Sequence, residues 1–180
     1  MSNTYSNFYY DPVRQGYDTT TWTTLLGVPA VVASQLSLHA AGIIHFADLL
    51  RGEAAFNVSF HAPTAGDNTK FGFIQLNKDA HLLFKIAENV LTAESSNGTT
   101  TNSVVIAWDS TWTNANTEFK IKWEAGRATF SIGGQYKTVI EDASIPGDPL
   151  SIYAYSNNAT SLLINDIIVK GIESSTLKIF

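Results

Sequence analysis

The chain has 180 residues, a net charge of −5 and no cysteine. The length suits a single all-β domain, and a hydrophobic fraction of 44% is enough to form a core. The eleven Lys and Arg residues are scattered singly, and no apolar run approaches the roughly 20 residues that span a membrane, so neither nucleic acid nor a membrane is predicted as a partner. Without cysteine the chain has no disulfide, thiolate metal site or cysteine nucleophile.

Residues 1–28 form a polar segment rich in aromatic side chains, and residues 29–180 are predicted to form a β-sandwich. The segment has no helical period. One interpretation is a first strand with loops that wrap the sandwich. The other is an arm that docks on a neighbouring subunit, because Tyr and Trp are favoured at interfaces. The arm hypothesis assigns assembly contacts to Tyr5, Phe8, Tyr9 and Tyr10.

Alternation of apolar and polar residues recurs along the chain and predicts strands with one buried face. The predicted strands of the first half cover residues 31–38, 53–61, 71–77, 81–86, 90–95 and 103–108. The pattern of residues 42–50 is mixed, and turn-forming residues predict loops at 63–68, 96–100 and 109–117. No segment keeps a period of 3.6 residues, so little helix is expected.

The clearest pattern runs from Glu118 to Gly134, where Phe119, Ile121 and Trp123 alternate with charged residues. The Ala125-Gly126 break predicts a hairpin turn, and Gly133-Gly134 predicts a second reversal. An antiparallel meander follows from these turns. The last predicted strands are residues 150–155 and 162–171, and the whole set predicts an all-β fold, a two-sheet antiparallel β-sandwich.

The segment from about residue 103 to 171 resembles the concanavalin A-like lectin and glucanase superfamily in its laminin-G-like jelly-roll form. The resemblance is carried by Phe119-Lys120-Ile121-Lys122-Trp123, Gly126, Phe130-Ser131-Ile132-Gly133-Gly134, Ile145-Pro146, Pro149-Leu150-Ser151-Ile152 and the strand from Leu163 to Val169. Gly133-Gly134 stands where the family usually has Asp-Gly. The resemblance implies a concanavalin A-like jelly roll, and that superfamily includes lectins, hydrolases and structural modules.

Catalytic carboxylates are the first feature to look for in this superfamily. A retaining glycosidase needs two carboxyl groups about 5 Å apart. The laminarinase-type members place them on one strand face as Glu-x-Asp-x-(x)-Glu, and this chain has no such triplet. The nearest approaches are Asp48 with Glu53 and the pair Glu141-Asp142. We therefore expect that the protein is not an enzyme.

Metal ligands are equally sparse in the sequence. The four histidines are singletons without the spacing of a zinc site. Loop oxygens of the kind that calcium prefers occur at Asp67, Asn68, Asp79, Asp109 and Asp148. Such residues also form turns. No cofactor is predicted, and a bound calcium ion stays an open alternative.

Three aromatic residues are the candidate binding residues for a carbohydrate or a protein partner. Trp112 lies in a polar loop, where it either packs over the end of the sandwich or forms a binding platform. Tyr153 and Tyr155 share one face of a predicted strand. Trp108 and Trp123 are predicted to belong to the core.

Two classes of function stay open, and a third is less favoured. The first is a non-catalytic structural or interaction module on a virion surface, such as a capsid decoration or tail-associated protein of a phage, assembled with protein partners or as a homo-oligomer. The second is a carbohydrate-binding, lectin-like module, and the third is a glycoside hydrolase. Because the first twelve residues lack the features of a signal peptide, we expect synthesis in the cytoplasm and location in the virion.

Overall fold

The computed structural model describes residues 5–62, 64–88, 90–157 and 162–173. The strands are β1 (Tyr5–Tyr10), β2 (Thr23–Leu26), β3 (Ala30–Val32), β4 (Gln35–Leu38), β5 (Ala41–Ser59), β6 (Asn68–Gln75), β7 (Ala80–Ala87), β8 (Val90–Asn97), β9 (Thr101–Ile106), β10 (Thr117–Glu124), β11 (Arg127–Ile132), β12 (Gln135–Ile140), β13 (Leu150–Ser156) and β14 (Leu162–Glu173). In the described part of the chain, helix is limited to α1 (Pro12–Gln15) and a 3₁₀ turn at Ser110–Trp112. Within these ranges no helix is long and apolar enough to cross a membrane. The predicted all-β class is confirmed.

The strands form two antiparallel sheets that share β5. Sheet 1 has the order β2, first half of β5, β13, β6, β7, β8, β9. Sheet 2 has the order β12, β11, β10, second half of β5, β14, and both β1 and β4 pair with the far side of β14. The two layers pack face to face as a β-sandwich.

The core lies between the sheets and is built on aromatic rings from both. Phe71 and Phe84 of sheet 1 meet Phe119 of sheet 2 with ring centroids 5.4 and 5.1 Å apart. Trp123 lies 5.9 Å from Phe73 and is fully buried. The inward positions predicted for the meander are therefore correct, because alternation puts every second residue of β10 on the core face.

The N-terminal segment belongs to the sandwich. Strand β1 pairs with β14 over its whole length. Tyr10 is completely buried, packs on Trp22 at 5.4 Å, and donates a hydrogen bond from Oη to the Gly16 carbonyl at 2.7 Å. Phe8 stacks on His45 at 4.4 Å. These contacts correct the assembly assignment of Phe8 and Tyr10, which pack inside the domain. Tyr9 is 50% exposed, and the side chain of Tyr5 lies outside the described residues.

Two predicted boundaries differ from the structure. The single strand predicted for residues 31–38 is the hairpin of β3 and β4, with a turn at Ala33 and Ser34, whose φ angles are 47° and 67°. The mixed segment 42–50 and the strand predicted at 53–61 are one continuous strand, β5.

Replacing Tyr10 with Ala should destabilise the domain by about 3–5 kcal/mol, as for other large aromatic truncations in a core. Tyr9→Ala is the matched control on the same strand, and it should cost less than about 1 kcal/mol because that ring is half exposed. Urea unfolding of the two variants measures the difference. Equal losses would mean that β1 does not anchor the domain through its inward face.

Candidate functional site

The outer face of sheet 1 carries aromatic and polar side chains that the core does not use. Alternation places Leu82 and Phe84 of β7 inward and leaves the residues between them facing outward. We call this surface the tyrosine face. Its side chains are Ile44, Phe46, Lys70, Ile74, His81, Leu83, Lys85, Glu94, Ser151, Tyr153 and Tyr155.

Cross-strand register arranges the tyrosine face in three rows. They are Tyr155–Lys70–Lys85, Tyr153–Gly72–Leu83–Glu94 and Ser151–Ile74–His81–Ser96. Neighbours within a row lie on adjacent strands about 4.8 Å apart, and successive rows are two residues, or about 7 Å, apart. The rows therefore set the aromatic rings on β13 beside Lys70 on β6, and about 10 and 14 Å from Lys85 on β7 and Glu94 on β8, two and three strands away.

Tyr153 and Tyr155 lie on this outer face together, as the strand alternation predicts. The ring of Tyr155 covers Gly42, where an added Cβ would lie 3.2 Å from its Cδ2 atom. Burial raises the pKa of Tyr153 to about 12, and the neighbouring Tyr155 adds to the shift. The Tyr153 hydroxyl therefore stays protonated at neutral pH and can donate a hydrogen bond.

An apolar floor continues from the tyrosines, in which Ile44 and Leu83 are only 1% and 2% exposed. Gly72 has φ of +145°, and an added Cβ would lie 2.3 Å from the Leu82 carbonyl oxygen, so only glycine fits between Tyr153 and Leu83. A cavity of about 410 Å³ lies at the Ser151 end of the face, lined by residues that include Ile44, Phe46, Ile74, Leu76 and Ser151. Phe46 is 61% exposed, which is unusual for a ring on a sheet face.

A charged cluster forms the other side of the face. Glu94 receives hydrogen bonds from His81 Nε2 at 3.0 Å and from Lys85 Nζ at 3.1 Å. These bonds, that of His81 first, outweigh burial and lower the pKa of Glu94 to about 2. His81 Nδ1 lies 2.8 Å from the Asp79 carbonyl oxygen, which fixes the ring. Sequence reasoning missed this cluster, although each residue occupies an outward position of an alternating strand.

The structure places Trp112 in the core, which corrects its assignment as an exposed binding platform. Trp112 is 8% exposed and packs on Trp108 and Phe119, with ring centroids 5.5 and 6.0 Å away. Lys137 Nζ lies over the ring, 5.0 Å from its centroid. The structure does not bring Trp112 to Tyr153 and Tyr155, because it belongs to the cluster between the sheets.

The loop oxygens considered for calcium take part in local turns and ion pairs. Asp67 accepts a hydrogen bond from the Thr64 amide, Asp109 accepts one from the Thr111 amide, and Asp148 pairs with Lys78. Among the described residues, no three His, Cys, Asp or Glu side chains come together in a group that could hold a metal ion.

Comparison with known proteins shows which fold this is. No protein-family model matches the chain, and no curated protein matches it. Several solved structures do match the chain.

Crh5 transglycosylase in complex with NAG is similar over 95% of this chain and 85% of its own, with a TM-score of 0.74 and 11% identity. A Bacillus licheniformis β-glucanase is similar over 91% of this chain and 97% of its own, with a TM-score of 0.67 and 13% identity. The VIP36 exoplasmic/lumenal domain, in its Ca²⁺/Man2-bound form, is similar over 94% of this chain and 90% of its own, with a TM-score of 0.69 and 10% identity. The chain therefore has the concanavalin A-like jelly-roll fold.

The expectation that the protein is not an enzyme is contradicted by these comparisons. A transglycosylase and a β-glucanase are among the structures most similar to this chain, beside a mannose-bound domain. The missing Glu-x-Asp-x-(x)-Glu triplet was the whole basis of that expectation. Both carbohydrate-active enzymes and carbohydrate-binding domains are therefore classes to consider for this fold.

Replacing Glu94 with Gln should make the free energy of unfolding depend less on pH in the acid range. The pKa of this carboxyl falls from 4.5 to about 2 on folding, so its stabilisation is complete above about pH 4.5 and is lost as the pH falls toward 2. The parent chain should lose up to about 3 kcal/mol more than Glu94→Gln over that window, at about 1.4 kcal/mol per pKa unit.

Urea unfolding at several pH values between 2 and 7 measures this difference. The control is Glu124→Gln, whose carboxylate pairs with Lys122 on the solvated side of sheet 2 and is half exposed. That substitution should leave the profile nearly unchanged. Parallel profiles for the parent and Glu94→Gln would show that the His81 and Lys85 hydrogen bonds do not stabilise the fold.

Proposed function

We propose that this protein binds glycans on the tyrosine face. The observation that carries the proposal is the pairing of two neighbouring tyrosine rings with a fixed polar cluster across one sheet surface. A sugar ring has an apolar C–H face that packs on an aromatic ring and hydroxyl edges that hydrogen-bond to charged groups. Tyr153 and Tyr155 supply the first kind of contact to one sugar unit, and Glu94 and Lys85, two to three strands away, supply the second kind to another unit of the same oligosaccharide.

The apolar floor extends the proposed site along the sheet. The cavity at the Ser151 end lies one row beyond Tyr153, so a chain of sugar units can continue from the tyrosines toward Phe46 and Ile74. The similarity to the mannose-bound VIP36 domain supports glycan binding as a role that this fold can perform. A linear oligosaccharide is the ligand shape that such a surface fits.

Turnover of the bound glycan is a second candidate function. The similarity to a transglycosylase and a β-glucanase favours it. Glu94 is the carboxylate that such chemistry would use on this face, since His81 and Lys85 keep it ionised and oriented. An ionised carboxylate suits the nucleophilic or stabilising role in a glycosidase, and His81, whose Nε2 lies 3.0 Å from Glu94, is the neighbouring group that would give its proton to the leaving oxygen.

A structural role on a virion stays a prediction from the sequence. It requires a surface on which copies or partners assemble, and β1 offers Tyr9, which pairs with Ile168 on the outside of sheet 2. Glycan binding and assembly use opposite sides of the sandwich and are compatible. Sedimentation of the purified chain would show whether it forms the predicted homo-oligomer.

The double variant Tyr153→Ala/Tyr155→Ala should bind glycan at least about 5-fold more weakly, because two ring contacts worth roughly 0.5–1.5 kcal/mol each are lost. Calorimetry with mannose, N-acetylglucosamine and β-1,3-1,4-glucan oligosaccharides measures the effect. Tyr136→Ala is the control, since that ring is 62% exposed on β12 of sheet 2. Binding that survives the double variant, or that Tyr136→Ala weakens equally, would contradict the proposed face.

Release of reducing ends from β-1,3-1,4-glucan, or transfer between N-acetylglucosamine oligomers, tests the second candidate. Glu94→Gln should lower the turnover rate at least about 100-fold. The affinity for the oligosaccharide should stay within a few-fold of that of the parent protein, because the amide keeps the shape of the carboxylate. Turnover that persists in Glu94→Gln would remove Glu94 from the chemistry. Binding without turnover in the parent protein would leave glycan binding as the function.

A further inference from the structure

Lys70 stands out on the tyrosine face as a cation without a carboxylate partner. It lies on β6 between Tyr155 on one side and Lys85 on the other, in the same cross-strand row. Lys85 is paired with Glu94 at 3.1 Å. Across the described ranges, no carboxylate lies within ion-pair distance of Lys70, and the side chain is half-buried.

The pair Lys70 and Lys85 is a like-charge pair placed directly opposite on adjacent strands. Such pairs destabilise a sheet, by the same kind of interaction that makes opposite charges favourable there. Glu94 relieves only the Lys85 side of this pair. An anion bound beside Lys70 would relieve the other side.

The outer face of sheet 2 shows that this arrangement is not a general feature of the chain. There Lys120 pairs with Glu118, Lys122 with Glu124, and Lys170 with Glu53, at 3.6, 2.8 and 3.9 Å. These three cations are thus matched by neighbouring carboxylates, whereas Arg51, which lies beside them on the same face, has no ion pair among the described residues. Among the side chains that the structure describes, the tyrosine face instead sets Lys70, Lys85 and His81 against one carboxylate, that of Glu94, in a protein whose net charge is −5.

We infer that the glycan bound on the tyrosine face is anionic, with a carboxylate or sulfate group held by Lys70. This inference rests on the proposed glycan-binding function and adds the class of sugar. The anionic group accepts hydrogen bonds from Lys70 Nζ, and the sugar ring that carries it lies against Tyr155, the neighbour of Lys70 in the row. The overall negative charge of the chain disfavours indiscriminate binding of polyanions, so the preference is local to this row.

Polygalacturonate and its fully methyl-esterified form provide a direct test, because they share a backbone and differ in charge. Calorimetry or affinity electrophoresis should show at least 10-fold tighter binding of the acid form at low salt, with the advantage falling as salt rises. Dextran and dextran sulfate form a parallel pair that distinguishes a carboxylate site from a sulfate site. Polyglutamate is the control for charge without sugar, and it should not compete.

Lys70→Gln should remove the preference for the acid form while leaving the affinity for the ester unchanged. Lys70→Arg should keep the preference for the acid form, because the positive charge is kept. Lys122→Gln removes the same charge from the opposite face and should change neither affinity. The urea midpoint of Lys70→Gln should equal or exceed that of the parent, since the substitution removes a repulsion, and this separates lost binding from lost folding.

The outcomes separate the two proposals. Binding of acid and ester forms with equal affinity, sensitive to Tyr153→Ala/Tyr155→Ala, would overturn the anionic preference and keep glycan binding. Equal loss of preference in Lys70→Gln and Lys122→Gln, or effective competition by polyglutamate, would show attraction by net charge and also overturn the inference. Failure of neutral and anionic glycans alike to bind would overturn both.

Discussion

Strand β5 is the element on which the rest of the structure depends, because one backbone serves both sheets. Its first half pairs with β2 and β13, and its second half pairs with β10 and β14. The close approach of β5 to β14 requires glycine at Gly52, where an added Cβ would lie 2.4 Å from the Lys170 carbonyl oxygen. A side chain there would push β14 outward, and β1 with it. The tyrosine face depends on the same strand, since β13 is hydrogen-bonded to its first half.

Local sequence signals predicted the parts of the fold in which glycine makes the turns. Gly126, Gly133 and Gly134 all have positive φ, and the meander they bound was predictable. The β3–β4 hairpin was not, because Ala33 and Ser34 adopt positive φ with ordinary side chains and leave no compositional signal. The continuity of β5 was hidden for another reason. Its pairing with β13 shifts register between Leu150 and Ile152, so apolar alternation breaks where the strand passes from one sheet to the other.

The candidate site also has one part that the sequence predicted and another that it did not. Alternation within one strand was enough to place Tyr153 and Tyr155 on a common face. The contact of Glu94 with His81 and Lys85 depends on the register of β7 with β8, which sets Leu83 opposite Glu94 and which neither strand reveals alone. For Trp112 the sequence left two positions open, packed over the end of the sandwich or exposed as a platform, because a tryptophan in a polar loop has no alternating pattern to show its burial. In the structure the 3₁₀ turn carries its ring back onto Phe119, and Lys137 covers what remains.

The charge cluster also bears on the proposed preference for anionic glycans. Glu94 is fixed by two donors, so it cannot turn toward Lys70 without giving up hydrogen bonds that lower its pKa to about 2. Lys70 therefore keeps its charge available beside Tyr155, in a row where the fold supplies no counter-ion. Under the proposed preference, a ligand that brings its own negative charge adds a contact with Lys70 to the contacts that a neutral sugar also makes with the tyrosines, Lys85 and Glu94. In the proposed site, a small electrostatic cost in the sheet thus becomes a difference in affinity between two classes of glycan.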